Sequence, residues 1–112
     1  MKNVVIPDGK CRNLAFYLAM EEYVAKNADG EILFVWRVPP TVIIGRNQDL
    51  EAEVNLGYCR EHGVKVVRRK SGGGCVYSDM GNIMISYVSR RGDVSEIFDR
   101  YLSALTACLR SL

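Results

Sequence analysis

Three consecutive glycines, Gly72, Gly73 and Gly74, lie between two short segments rich in valine and tyrosine, residues 64–68 and 75–78. Glycine loses more conformational freedom on folding than any other residue, so an unbroken run of three answers a geometric need. Without Cβ atoms a backbone can approach a bulky ligand closely and turn several N–H groups toward an anion. Arg68 and Arg69, just before the run, add planar, permanently charged forks suited to phosphate or carboxylate. A sheltered charge-assisted hydrogen bond contributes roughly 1.5–3 kcal/mol. A few of them reach the approximately −8 kcal/mol of a micromolar complex. No Gly-Lys-Ser/Thr ends the loop and GxGxxG is absent, which excludes the common nucleoside-triphosphate and dinucleotide fingerprints. A bare triple glycine would more simply be a mobile hairpin tip. The two arginines and a second turn at Asp79-Met80-Gly81-Asn82 favour an anion pocket.

The chain's 112 residues make one domain or part of one, and 48% apolar with 25% charged residues is an ordinary balance for a globular protein. A formal charge of +2 is too small to imply a nucleic-acid or membrane partner. The cations bunch instead, at Lys65, Arg68, Arg69 and Lys70 and again at Arg90 and Arg91. No apolar run is long enough to span a bilayer, and residues 1–10 lack the order of a signal peptide. Cys11, Cys59, Cys75 and Cys108 show no CxxC spacing, and His62 is the single histidine, so no zinc pattern forms and no metal ligands are assigned. Reduced thiols in a cytoplasm are the simplest reading.

Along the chain, a turn at Pro7-Asp8-Gly9 precedes Asn13, which caps a helix with Leu14, Tyr17, Leu18, Met20, Tyr23 and Val24 on its apolar face. Residues 32–38 read as a strand ended by Pro39-Pro40, and residues 41–44 as a second, buried strand. A helix is predicted over residues 50–61, closing at Gly63. Strands follow at 64–68, 75–78 and 83–88. Asp93 and Glu96 resemble a capping box for a last helix bearing Ile97, Phe98, Tyr101, Leu102, Leu105, Leu109 and Leu112 on one face. That stripe runs to the final residue without a stop signal. The helix is expected to fold back on the strands and also to need cover from further sequence, as if the chain were cut.

The motif Arg68-Arg69-x-Ser71-Gly72-Gly73-Gly74-x-Val76-Tyr77-x-Asp79-x-Gly81-Asn82 resembles the signature of the lipoate–protein ligase A family. The upstream run from Pro40 through Thr41, Val42, Ile43, Ile44, Gly45, Arg46 and Asn47 to Gln48 is similar to that family's other early signature, and Asn13-Leu14-Ala15 with Glu21-Glu22-Tyr23 fits its first helix. The resemblance covers about residues 13–87. It implies an α+β fold in which a mixed or antiparallel sheet carries packed helices, as in biotin ligases and class II aminoacyl-tRNA synthetases. Residues 1–112 would then be the N-terminal half of the catalytic domain. The implied activity is ATP-dependent activation of lipoate to lipoyl-AMP, with Mg²⁺, and transfer to a lysine of an acceptor. That acceptor would be the lipoyl domain of a 2-oxoacid dehydrogenase or the glycine cleavage H protein. By the same resemblance Arg69, Gly74, Cys75, Val76 and Tyr77 would contact ATP. Arg46, Ser71, Gly72, Gly73, Asp79 and Asn82 would line the lipoate and adenylate end. The family's essential lysine falls on a later strand, beyond Leu112, and has no counterpart here.

Chemically, two anions must be brought together and developing charge neutralised, which arginine and backbone N–H groups can do. Trp36, Val42 and Ile44 are candidates for an acyl tunnel, with plain core the simpler reading. Lys65 reads as a solvated strand residue, and Lys70 could touch phosphate. Cys75 invites a thioester idea, as in related octanoyltransferases, but no base stands beside it in the sequence, and a small residue would serve as well. His62 reads as a helix C-terminal residue and Arg90-Arg91-Gly92 as a solvated turn. Two other functions stay open: an octanoyl- or lipoyl-transferase of the same fold, and a non-catalytic ligand-binding module.

Overall fold

In the computed structural model, residues 3–5, 10 and 12–112 are described. The expected turn at Pro7-Asp8-Gly9 and Cys11 lie outside them. The described chain runs β1 (Asn3–Val5), α1 (Leu14–Asn27), β2 (Ile32–Trp36), β3 (Thr41–Ile44), α2 (Leu50–Glu53), α3 (Leu56–Glu61), β4 (Lys65–Arg68), β5 (Val76–Ser78), β6 (Met84–Val88) and α4 (Val94–Arg110). The α+β class is as expected. The sheet is divided, however, into two three-stranded mixed sheets, β1-β2-β6 and β4-β3-β5.

The division follows from the residues between strands. Pro39 and Pro40 cannot donate to a ladder, so the chain leaves β2 and enters the other sheet as β3, with the Thr41 hydroxyl bonding back to the Pro39 carbonyl at 2.7 Å. The turn at residues 79–82 likewise carries the chain from β5, antiparallel to β3, to β6, antiparallel to β2. The strands on either side of that turn therefore do not pair with each other. β1 pairs in parallel with β2, a strand that short-range patterning did not indicate.

Asn13 caps α1 as expected, accepting from the Phe16 amide at 3.0 Å. Leu14 and Tyr17 are buried, and Tyr17 stacks on Trp36 with 4.7 Å between ring centroids. Tyr23, assigned to the same apolar face, is instead exposed. The helix expected over 50–61 is two helices, because Val54 is extended and Asn55 caps α3 through the Tyr58 amide at 3.0 Å. Val54 is buried beside Ile44 and Cys59, so burial of an apolar side chain at the break outweighs helical continuity.

Sheet β4-β3-β5 has apolar groups on both faces. Ile43 joins Leu14, Tyr17, Phe34, Trp36 and Val38 in one core, while Ile44 joins Val54 and Cys59 in a second, beneath α2 and α3. β3 is thus the strand most thoroughly enclosed, and the loops at its end are held on a rigid base.

α4 departs furthest from expectation. None of its residues is buried, and Val94, Phe98, Leu102 and Leu109 are exposed, as is Leu112 beyond its end. It does not fold flat onto the strands. Tyr101 stacks on Tyr87 at 5.5 Å, and Arg100 donates to the Arg91 carbonyl and pairs with Glu31 at 3.4 Å. Arg90 is more than a solvated turn residue, since its guanidinium donates to the Ala25 and Lys26 carbonyls that end α1. Among the described residues no helix is long and apolar enough to cross a membrane.

Candidate active site

The parallel pairing of β3 with β4 sets Ile44 opposite Arg68, so both strands deliver their following loops to one end of the sheet. The loops are tied across that end. The Arg69 amide donates to the Ile44 carbonyl at 3.0 Å, and the Arg46 amide to the Ser71 carbonyl at 3.0 Å. Gly45 is buried and a Cβ there would run into the Gly73 carbonyl oxygen. Only glycine lets the two loops close to this distance.

Gly73 has φ +100°, and a Cβ on it would come within 2.9 Å of the Arg69 guanidinium. Gly72 and Gly74 differ: a Cβ on either would meet nothing within 4 Å. The fold therefore explains Gly45 and Gly73 but asks nothing of Gly72 and Gly74. Bare backbone facing open space is what close approach by a ligand would use.

Arg69 sits at the base of this loop with its fork turned inward. It donates to the Gly72 and Gly74 carbonyls at 2.8 and 2.7 Å and to the Ile43 carbonyl at 3.3 Å. The guanidinium expected to meet ATP is thus bound to the carbonyls of the glycine loop. An incoming phosphate would have to compete with those carbonyls.

Arg46, Arg69, Ser71, Gly72, Gly73, Gly74 and Cys75 thus gather at one end of the sheet. Val76 and Tyr77 lie along β5 and are exposed. Asp79 and Asn82 are not brought to the glycine loop, because β5 runs back along β3, from Val76 opposite Ile43 to Ser78 opposite Thr41. At about 3.3 Å per residue, the strand separates the two turns by about 10 Å. Asp79 accepts from the Gly81 amide and the Tyr77 hydroxyl, at 2.8 and 3.1 Å, while Asn82 accepts from the Asp79 amide at 3.0 Å. Both side chains shape their own turn.

On the other side of Arg69 and Lys70 lies a cleft of about 960 Å³ between α1, β6 and the first turns of α4, with Leu18, Val67, Ile85, Ile97 and Phe98 on its walls. Arg68, Arg69, Lys70 and Ser71 edge it. Lys70 reaches across to Glu22 of α1 at 2.8 Å, beside a Lys26–Glu22 pair at 2.7 Å. The hydrogen bonds from Lys26 and then Lys70 lower the Glu22 carboxyl to a pKa of about 2. Deeper in, Trp36 Nε1–H donates to Ser86 Oγ at 2.8 Å, and the Ser86 hydroxyl donates to Glu21. This chain joins β2, β6 and α1. Trp36 and Ile44 are buried in the two cores and Val42 packs on the second, so of the tunnel candidates only Trp36 approaches the cleft, through its hydrogen bond to Ser86.

Sequence reasoning missed Gly45 as the contact between loops, the Lys70–Glu22 bridge and the Glu21–Ser86–Trp36 chain. Gly45 was legible in principle, as a glycine ending a β-branched strand. The other two join residues far apart in sequence and leave no local pattern. Cys75 is exposed and His62 is stacked on Tyr58 at 3.8 Å, its Nδ1 lying 2.9 Å from the Tyr58 carbonyl oxygen. That contact occupies His62 at the end of α3. Lys65 is exposed on β4.

A glycine loop with an arginine beneath it, beside an apolar cleft with a cationic rim, is a combination with relatives. Residues 13–112 match the lipoyl protein ligase A/B catalytic domain. The chain is 40% identical over 98 residues to the lipoate-protein ligase LplJ of Bacillus subtilis, covering 85% of this chain and 30% of that protein. It is 40% identical over 94 residues to the human mitochondrial lipoyl amidotransferase LIPT1, covering 81% of this chain and 25% of that protein. Among solved structures, protein Ta0514 of T. acidophilum superposes with a TM-score of 0.85 at 32% identity, over 100% of this chain and 49% of that one. A lipoate-protein ligase A bound with ATP gives 0.68 at 32% identity, over 87% and 39%. The chain therefore spans under a third of the two sequence relatives. Fold, motif order and these matches agree: the chain belongs to the lipoyl protein ligase A/B catalytic-domain family.

Proposed function

We propose that this chain supplies the acyl-binding and nucleotide-binding portion of an enzyme that joins lipoate to protein. The carrying observation is the adjacency of the apolar cleft to the Arg69-Lys70-Ser71 rim and the glycine loop. A medium-length acid with an apolar tail and a terminal carboxylate fits that polarity. Its tail would occupy the cleft between α1 and α4, and its carboxylate would lie at the rim, where Lys70 could exchange Glu22 for it.

ATP is the second substrate in this reading. Its phosphates would lie over Gly72 and Gly74, with Arg69 released from their carbonyls to take up charge and Val76 and Tyr77 offering exposed apolar surface to the nucleoside. One carboxylate oxygen of lipoate would attack the α-phosphorus, forming lipoyl-AMP and expelling pyrophosphate. An acceptor lysine amine would then attack the acyl carbonyl, forming an amide and releasing AMP and a proton. The acceptor would be a lipoyl domain of a 2-oxoacid dehydrogenase or the glycine cleavage H protein, in the cytoplasm. This chain's own part is to bind, align and neutralise. No three His, Cys, Asp or Glu among the described residues cluster to hold a metal. Mg²⁺ would therefore enter with ATP, held chiefly by its phosphates, and would neutralise charge there.

The second reading, an octanoyl- or lipoyl-transferase of the same fold, is tested beside it, since one relative is named a lipoyl amidotransferase. Cys75, the exposed thiol of the loop, has no base among its described contacts to activate it. Calorimetry with lipoate and with ATP, on the wild-type chain and on Arg69→Ala, separates the readings. The ligase reading expects both to bind wild type. It also expects Arg69→Ala to lose ATP affinity by about 1.5–3 kcal/mol. Lipoate binding with no response to ATP would favour the transferase, and silence toward both would reject the proposal.

A further inference from the structure

Arg68 stands next to Arg69 yet does something different. One of its guanidinium nitrogens, Nη1, donates to the Gly45 and Gln48 carbonyls at 2.8 Å each and lies 3.2 Å from the Arg46 carbonyl. Carbonyls that converge in this way need a fixed cation, because left alone their dipoles repel. The turn they belong to is also closed on itself, with the Gly45 amide donating to Gln48 Oε1 at 2.8 Å and the Gln48 amide to the Gly45 carbonyl at 3.3 Å. Nη1 of Arg68 is thus committed to this turn.

The turn that Arg68 holds is the one that touches the glycine loop. Its Arg46 amide donates to Ser71, and its Gly45 lies against the Gly73 carbonyl. Arg69, one position on, holds the glycine loop itself through Gly72 and Gly74. Consecutive residues in extended backbone point to opposite sides, so the end of β4 sends one guanidinium to each loop.

We propose that Arg68 is a positioning residue for the ligand site. It fixes the turn at residues 45–48, and through that turn it sets the shape of the glycine loop, while the rest of its side chain borders the cleft. The inference rests on reading the glycine loop as the ligand site, but the coupling between the loops can be measured without any ligand.

The test uses ¹⁵N NMR of the 112-residue chain as wild type, Arg68→Met, Arg68→Lys and Gly45→Ala. Arg68→Met should raise amide exchange at Gly45, Arg46 and Gln48 at least ten-fold and shift the signals of Gly72, Gly73 and Gly74. Exchange in β2 and β6 should stay at wild-type rates. Arg68→Lys should restore part of the protection, since an ammonium can still serve the carbonyls. Gly45→Ala should displace the same three glycine signals with Arg68 intact, and it carries the test if Arg68→Met fails to fold. Disturbance confined to residues 45–48 would overturn the proposal, as would a uniform rise in exchange across the chain. So would unmoved glycine signals in Gly45→Ala. Titrating wild type with ATP alongside keeps the two ideas apart: no binding would count against the proposed function, while the exchange pattern still decides the role of Arg68.

Discussion

Gly72 and Gly73 are neighbours of one residue type with different reasons to exist. Gly73 needs its positive φ and leaves no room beside Arg69, whereas Gly72 has free space around it. Gly73→Ala should therefore cost about 1–2 kcal/mol of stability from backbone strain alone. Gly72→Ala should be neutral or stabilising by about 0.4–1 kcal/mol, while still lowering affinity for ATP or lipoate. Urea unfolding and calorimetry on both variants check this, and a Gly72→Ala chain with wild-type affinity would remove the ligand argument for that position. Glu22 gives a pH prediction. Its folded pKa, about 2, lies below the ordinary 4.5. Its contribution to stability is thus fully present above pH about 4.5 and is lost as pH falls toward 2. Carboxyl NMR should follow the low midpoint in wild type and a higher one in Lys70→Met; equal midpoints would mean that Lys70 does not hold Glu22. The glycine run and the paired arginines were plain in the sequence because each is a local signature. That both forks would be turned onto backbone carbonyls was not, since carbonyl direction depends on how two loops meet.

Elements were legible where a chemical stop marks them. Asn13 and Asp93 cap α1 and α4 as read, each accepting from the amide three residues on, and the paired prolines end β2 early, at Trp36. The break between α2 and α3 was missed because residues 50–61 carry apolar groups at spacings compatible with one helix. Asn55 was read as an interior residue when it is a cap. Asn55→Ala should cost about 1 kcal/mol, measured as a lower urea midpoint with unchanged slope. A stabilised Asn55→Ala would mean that the break is set by Val54 burial alone. The division into two sheets was also beyond local reading. Strand propensity says that a segment is extended, not which neighbour it pairs with, and β5 and β6 choose β3 and β2 over each other.

At the scale of the molecule, the cores lie around β2 and β3 and under α2 and α3, and α4 stands apart from both. It is fastened by Tyr101 on Tyr87 and by Arg100, which reaches Glu31 and the Arg91 carbonyl. The Tyr87 hydrogen bond in turn holds the Glu31 carboxyl below its usual range. These contacts lie in the first half of the helix. Beyond them Leu102 and Leu109 face solvent, Leu109 with 59% of its surface exposed, although the sequence pattern reads as a buried stripe. Amphipathic spacing reports which face of a helix seeks cover and is silent on whether the described chain provides it. Substitutions along α4 should accordingly divide by face, with Ile97, Tyr101 and Leu105 half-buried and Leu102 and Leu109 exposed. Tyr101→Ala removes a stacked pair and should destabilise by about 0.5–1.5 kcal/mol while loosening the wall of the cleft. Leu109→Lys leaves solvent-facing surface and should stay within about 0.5 kcal/mol of wild type, because its side chain has little burial to lose. A contiguous apolar face of this kind also favours association, so the Leu109→Lys chain should sediment with less self-association at the same concentration. If Leu109→Lys instead unfolded the protein as readily as Tyr101→Ala, α4 would have to be packed along its whole length in solution.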